Sequence, residues 1–224
     1  MIALRWNIAQ FFERLWWQNY LRAKDNHRYL EWKRNYWQKI LQQVFELMDD
    51  KTVKENFKNN SLDILDAGCG PAGIFLNLEN HRVDAMDPLV EKYLGGLRLI
   101  ERPDFPRVNF IPQQLENFPA PEKYDFIFCM NCINHVKDME VSLKNLSTSL
   151  KHQGFLVVTV DAHNYNIVKS LLQMIPADIL HPCQLRLQDY AEAITKTLKT
   201  KNLKRSLLKQ GILFNHYLMV AQKI

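Results

Sequence analysis

The chain has 224 residues, 47% apolar and 24% charged, which suits one open α/β domain with an extra element and is short for two full domains. Its net charge of +5 is spread out, with a local enrichment at Lys196–Lys209 that reads as a solvated face, unlike the concentrated patch of a dedicated nucleic-acid binder. No apolar run approaches the ~20 residues of a membrane span, and the start of the chain lacks the apolar core and cleavage site of a signal peptide, so the cytoplasm is the default location.

Residues 1–60 contain no glycine or proline and are rich in Trp, Tyr, Lys, Arg and Gln. Apolar residues recur there at helical spacing: Ile8, Phe11, Phe12, Leu15 and Trp16, then Tyr29, Trp32, Tyr36, Trp37, Ile40, Leu41 and Val44. That spacing predicts two or three amphipathic helices, with Asp25-Asn26 as the break and N-cap. From residue 61 short apolar runs alternate with helical stretches. Leu62–Ala67 reads as a strand, followed by a glycine-rich turn and a short helix through Leu78. Strands are expected at His81–Met86, Val108–Ile111, Tyr124–Met130 and Gly154–Val160, and helices at Val90–Ile100, Asp138–Leu150, Asn166–Met174 and Leu187–Leu198. The chain closes with two strands near Leu203–Leu208 and His216–Gln222, which lie close enough in sequence to pair as a hairpin. The expected fold is α/β: a Rossmann-like, doubly wound, mostly parallel seven-stranded sheet with an antiparallel last strand over residues 61–224, and an N-terminal helical extension over residues 1–60.

The four cysteines are Cys69, Cys129, Cys132 and Cys183. Cys129 and Cys132 form a C-x-x-C, but without a second such pair, and at the end of a buried apolar run, they read as small hydrophobes in a reducing compartment. His135, His163 and His181 share no ligand-like spacing, so no metal site is expected.

The informative motif is Ile64-Leu65-Asp66-Ala67-Gly68-Cys69-Gly70-Pro71-Ala72-Gly73. It holds G-x-G-x-x-G in the strand–turn–helix context that nucleotide recognition needs. Asp87 ends the second strand and is placed to accept ribose hydroxyls, or to cap the helix beginning near Pro88, or both. Asp66 separates two cofactor classes. A carboxylate there repels a pyrophosphate and favours a ligand carrying a sulfonium and an ammonium.

Ile64–Gly73 resembles motif I of the class I S-adenosylmethionine-dependent methyltransferases, and Val83–Pro88 resembles their acidic second-strand motif. The likeness covers residues 61–224. It implies S-adenosylmethionine as cofactor and S-adenosylhomocysteine as product, held by Asp66, Gly68, Cys69, Gly70, Asp87, Pro88, Gln114, Leu115 and Asn131. The family often has Asp at the position of Gln114; the Gln oxygen can still bond the adenine amino group. Asn131–Val136 resembles the segment after the fourth strand, which often ends in a His.

An oxygen or nitrogen acceptor needs a base for its proton, and His135, Asp161 and His163 follow strands at the ligand edge. Tyr165, His181 and Tyr36 are candidates for the acceptor pocket, and Tyr29, Lys33 and Tyr36 for the cofactor carboxylate. Met130-Asn131-Cys132-Ile133 is not the Asn/Asp-Pro-Pro-aromatic segment of base-methylating enzymes, so a small-molecule acceptor is favoured over nucleic acid. The N-terminal helices admit three readings: core packing, a lid over the acceptor, or membrane-surface docking, since Trp16, Trp17 and Tyr20 beside Arg14, Arg22 and Lys24 resemble an interfacial helix suited to a lipophilic acceptor. The rival functions are a nicotinamide-dependent oxidoreductase and a non-catalytic cofactor-binding module.

Overall fold

The computed structural model describes residues 2–22, 24–97, 99–118, 121–163, 185–200 and 202–224. Three helices come first: α1 (Ile2–Arg22), α2 (Asn26–Met48) and α3 (Lys51–Asn59). Asp25 caps α2 by accepting from the N–H of Arg28 at 2.8 Å, as its place in the sequence suggests. Asp49 closes α2 at φ 49°, and Asp50 caps α3 by accepting from Val53 N–H at 3.1 Å.

The strands are β1 (Asp63–Ala67), β2 (Arg82–Met86), β3 (Val108–Ile111), β4 (Tyr124–Met130), β5 (Leu150–His163), β6 (Leu203–Lys209) and β7 (Phe214–Gln222). They form one seven-stranded sheet in the order β3-β2-β1-β4-β5-β7-β6. The strands β3 to β5 of that order pair in parallel, and β7 runs antiparallel to both β5 and β6. The order reverses between β1 and β4, so a crevice opens beyond their carboxyl ends. Strand β5 outruns its predicted end because β7 pairs with it as far as His163↔Phe214, occupying its backbone groups.

The helix expected after the glycine turn is one 3-10 turn, Ile74–Asn77. Helix α2 docks on this short connection. Trp37 Nε1 donates to Ala72 O at 3.0 Å, Asn77 Nδ2 donates to Arg34 O at 3.0 Å, and Arg34 donates to Leu76 O. Helix α4 (Val90–Leu97) is described as far as Leu97, just past the weak helix formers Gly95 and Gly96. Helices α5 (Met139–Ser149) and α6 (Leu187–Leu198) complete the described helices; the helix predicted at Asn166–Met174 lies outside the described residues.

The sheet carries an apolar layer on each face. One contains Tyr29, Trp37, Ile40, Val44 and Phe57 of the N-terminal helices with Ile64, Phe75, Val83 and Phe126. The other packs Leu143 and Leu146 of α5 and Tyr190 and Ile194 of α6 on Leu65, Ile127 and Val158. The alternation along β1 sends Ile64 to the first layer and Leu65 to the second. Helices α2 and α3 are therefore built into the core. The longest helices notwithstanding, no described helix is long and apolar enough to cross a membrane.

Asp84 on β2 is a buried polar knot in this sheet. It accepts from Tyr124 Oη at 2.6 Å, from Asn109 Nδ2 at 2.9 Å and from Lys123 Nζ. Burial works against its charge, but these three donors hold the carboxyl below its usual value. Asp84→Ala strands the Tyr124 hydroxyl, whose residue is 1% exposed, and is expected to destabilise the protein by about 2–3 kcal/mol. Urea unfolding at neutral pH checks this, with Asp84→Asn losing less.

Candidate active site

The chain leaves β1 through a turn in which two of the three glycines are required by backbone conformation. Gly68 and Gly70 have φ of +70° and +57°. The N–H groups of Gly68 and Cys69 both donate to Met86 O, at 2.7 and 3.0 Å, which ties the turn to the end of β2. A Cβ on Gly68 would lie 2.3 Å from Cys132 Sγ, and one on Gly73 would lie 2.3 Å from Asp66 Oδ2. A Cβ on Gly70 would meet nothing within 4 Å. The first and third glycines thus permit close packing, and the second leaves open space beside the turn.

That space belongs to a cavity of about 710 Å³ over the carboxyl ends of β1, β2 and β4. It receives most of the residues singled out from the sequence: Asp66, Gly68, Cys69, Gly70, Asp87, Pro88, Gln114, Leu115, Asn131, His135 and Tyr36. Asp87 is 7% exposed. Its Oδ2 accepts from Gly70 N–H at 3.1 Å and its Oδ1 from Leu89 N–H at 2.8 Å, so it caps the next segment while facing the cavity. Each carboxylate oxygen keeps further lone-pair capacity for a hydroxyl. Asn131 stands at φ +51° after β4, and its buried Oδ1 has no hydrogen-bond partner among the described residues. The side-chain oxygen of Gln114, expected on an adenine amino group, accepts from Lys137 Nζ at 2.9 Å.

Two of the residues expected at the ligand edge are not part of the cavity lining. Asp161 does not line the cavity; its Oδ1 lies 2.8 Å from His216 Nδ1, and His216 lines the cavity in its place. The pairing follows from strand register, which sets Asp161 opposite His216 on β5 and β7. His163 also misses the cavity wall. It is 8% exposed with its ring 4.5 Å from that of Phe214, and neither ring nitrogen has a partner among the described residues. Tyr165 and His181 lie outside the described residues.

Sequence reasoning missed Glu13, Trp37 and His216. Glu13 on α1 lines the cavity, accepting from Tyr93 Oη and from Gln10 Nε2, each at 3.2 Å. A signal was available: Glu13 is the only acidic residue before Asp25. Trp37 had been read as core; its indole bonds the glycine turn while the residue also faces the cavity.

The site is electrostatically tense. Burial pushes the Asp66 carboxyl up to about 7, against the N–H of Phe75, the charge of Lys33 and the N–H of Ile74. Burial likewise brings Lys33 down to about 8, with Asp66 pulling the other way. Burial and then the neighbouring charge of Glu13 push Asp87 up to about 7, against the N–H groups of Leu89 and Gly70. At the far end, burial and the Asp161 charge raise the Tyr36 hydroxyl. The wall around this end is aromatic, with Trp32, Tyr36 and Trp37.

A family model described as a methyltransferase domain matches residues 29–210. The chain belongs to this family. Among curated relatives it is 27% identical, over 110 residues, to the ubiquinone biosynthesis O-methyltransferase of Rickettsia bellii, covering 48% of this chain and 45% of that one. The chain therefore spans about half the length of the curated relatives it matches. Among solved structures it resembles the Haemonchus contortus phosphoethanolamine N-methyltransferase 2 in complex with S-adenosyl-L-methionine, with TM-score 0.60, 15% identity, and coverage of 77% of this chain and 51% of that one. It also resembles the YcgJ protein of Bacillus subtilis, with TM-score 0.60, 11% identity, and coverage of 75% and 95%. At these identities the structural likenesses concern the fold.

S-adenosylmethionine is the cofactor of this family, and the residues present fit it. Asp87 offers acceptors for a ribose diol, the open side of Gly70 leaves room beside the turn, and Asp66 and Lys33 offer opposite charges to an amino-acid zwitterion. A pyrophosphate would instead meet Asp66, Asp87 and Glu13, with Lys33 the one Lys or Arg among the described residues of the wall.

The two raised carboxyls set a pH dependence. A carboxyl raised by folding contributes stability that is complete below its unfolded value and is lost as pH rises through about 7. The melting temperature of the ligand-free protein should fall from about pH 5 to about pH 8. S-adenosylhomocysteine affinity should climb over the same window as Asp66 and Asp87 ionise, then level near pH 8 where Lys33 begins to lose its proton. Calorimetry across that range checks both; a flat affinity profile contradicts the assignment. In Glu13→Gln the midpoint of the profile should move to lower pH, because a like charge beside Asp87 is gone.

Proposed function

We propose that this chain transfers the methyl group of S-adenosylmethionine to a hydroxyl oxygen of a small, lipophilic acceptor, with residues 1–60 forming one wall of the site built on residues 61–224. One observation carries the reading: a single cavity joins the cofactor cradle at Asp66, Gly70 and Asp87 to an aromatic end that holds His216, backed by Asp161.

When bound, the cofactor supplies a methyl carbon already activated by its sulfonium. Asp87 and the glycine turn would hold its adenosine side, while Asp66 and Lys33 would hold its amino-acid end. Trp32, Tyr36 and Trp37 offer apolar surface to an acceptor and exclude water from the methyl path. His216 is the base. With Nδ1 held by Asp161 at 2.8 Å, its Nε2 is free to take the hydroxyl proton as the oxygen attacks. His216 Nε2 would take the acceptor's hydroxyl proton as the oxygen is methylated by the bound cofactor, and would return that proton to water between turnovers. His135, on the same cavity wall, is the second candidate for this work.

The name of the Rickettsia relative supports an oxygen acceptor, and the aromatic wall supports a lipophilic one. A small-molecule partner is likewise favoured by the cavity's volume of about 710 Å³.

The test begins with parallel titrations of S-adenosylmethionine, S-adenosylhomocysteine and NADH. Binding of the adenosyl ligands alone is expected; binding of NADH alone would sink the reading. Radiolabelled methyl transfer to phenols, catechols and amines follows. On the phenolic substrates His216→Gln should lower kcat by about 10²–10⁴-fold with little change in S-adenosylhomocysteine affinity. Preferential methylation of amines, or an unaltered kcat in His216→Gln, would overturn the assigned base.

A further inference from the structure

The first two helices carry an exposed apolar surface that extends outward from the cavity rim. Phe11, Phe12 and Trp16 on α1 and Trp32 on α2 are 52–54% exposed. Phe12, Trp16 and Trp32 stand at the cavity mouth, so this apolar surface is continuous with the opening. Isolated exposed aromatics need no explanation, but a contiguous group at the entrance to a binding cavity does.

The aromatics form rows that end in cations. On α1, Trp16 stacks on Tyr20 at 4.9 Å, and Lys24 Nζ lies 4.5 Å from the centre of the Tyr20 ring. On α2, Trp32 stacks on Tyr36 at 6.0 Å, one turn beyond Arg28. Tyr20 and Tyr29 join the two rows at 6.1 Å. Both rows therefore run from the turn between the helices, where Arg22, Lys24 and Arg28 are all exposed, to the cavity mouth. The one acidic side chain in that turn, Asp25, is engaged in capping α2.

Charge is biased the same way. Residues 1–48 hold eight Lys and Arg against four Asp and Glu, a net +4 out of the chain's +5. The rest of the molecule is close to neutral, so an anionic surface is attracted to this end.

We propose that the α1–α2 hairpin docks on an anionic lipid bilayer, its basic turn on the phosphates and its exposed Phe11, Phe12, Trp16 and Trp32 at interfacial depth, with the cavity mouth opening toward the membrane. Tyr and Trp favour that depth because each has an apolar body and a polar tip, and basic side chains add electrostatic attraction to anionic headgroups. The arrangement rests on the proposed function in one respect: a lipophilic acceptor would then pass from the bilayer to His216 without crossing water. The sequence pattern had suggested Trp17 and Tyr20 as surface contacts. The fold turns both partly inward and puts Phe11, Phe12 and Trp32 outside instead.

The test is flotation of the full chain with vesicles of phosphatidylcholine alone and with equimolar phosphatidylglycerol. Wild type should float with the anionic vesicles, release at high salt, and show a blue shift in tryptophan emission. The triple variant Arg22→Gln, Lys24→Gln, Arg28→Gln should bind those vesicles at least about tenfold more weakly while keeping its melting temperature and S-adenosylhomocysteine affinity. Trp16→Gln with Trp32→Gln should also lose flotation and the emission shift.

Failure of wild type to float, while S-adenosylhomocysteine still binds, overturns the docking proposal and leaves the methyltransferase reading intact. Flotation without S-adenosylhomocysteine binding does the reverse. A dimer in light scattering that Trp16→Gln with Trp32→Gln returns to a monomer would assign the surface to a second copy of the chain and overturn the bilayer.

Discussion

Removing Asp66 and Asp87 from water is the constraint around which this molecule is arranged. A buried carboxylate without a counter-charge shifts toward its neutral form, and both are pushed up to about 7. The fold answers with backbone N–H groups: Phe75 toward Asp66, Gly70 and Leu89 toward Asp87. These donors come from the glycine turn and the segments after it, so the turn that leaves open space beside Gly70 also stabilises the carboxylates that border that space. What the backbone does not neutralise is available to a ligand bearing a cation and hydroxyl donors.

The N-terminal helices share in that arrangement. Helix α2 brings Lys33 to Asp66 and seats the Trp37 indole on Ala72 O, so it is tied to the turn by both charge and hydrogen bonding. Helix α1 brings Glu13 toward Asp87 through the Tyr93 hydroxyl, adding a further acidic group to the wall. The short connection between β1 and β2 makes this geometry workable. A full crossover helix after the turn would occupy the face where α2 now lies, whereas the single turn Ile74–Asn77 leaves it open. The helices consequently bury Tyr29, Trp37 and Val44 against the sheet while leaving Trp16 and Trp32 at the rim.

The His216 side of the cavity depends on a different physical fact, the register of an antiparallel pair. Strand β7 sets His216 opposite Asp161, and the imidazole gains a carboxylate orienter from a neighbouring strand. A shift by one residue would turn one of the two to the other face of the sheet and break the pair.

The sequence by itself determined the αβ alternation, the glycine turn, the acidic end of β2 and the cap at Asp25, because each rests on local chemistry: hydrophobic period, positive φ, or a side chain bonding its own backbone. Gly68, Gly70 and Asp87 could be named for the same reason, since the strand–turn–strand unit that unites them is nearly contiguous. Only the tertiary structure decided that His216 rather than Asp161 lines the cavity, that His163 is packed against Phe214, and that Lys33 comes close to Asp66 and Glu13 to Asp87. Those relations join residues tens of positions apart. They are fixed by strand register and by which helix face the core accepts, and no local pattern in the chain encodes either one.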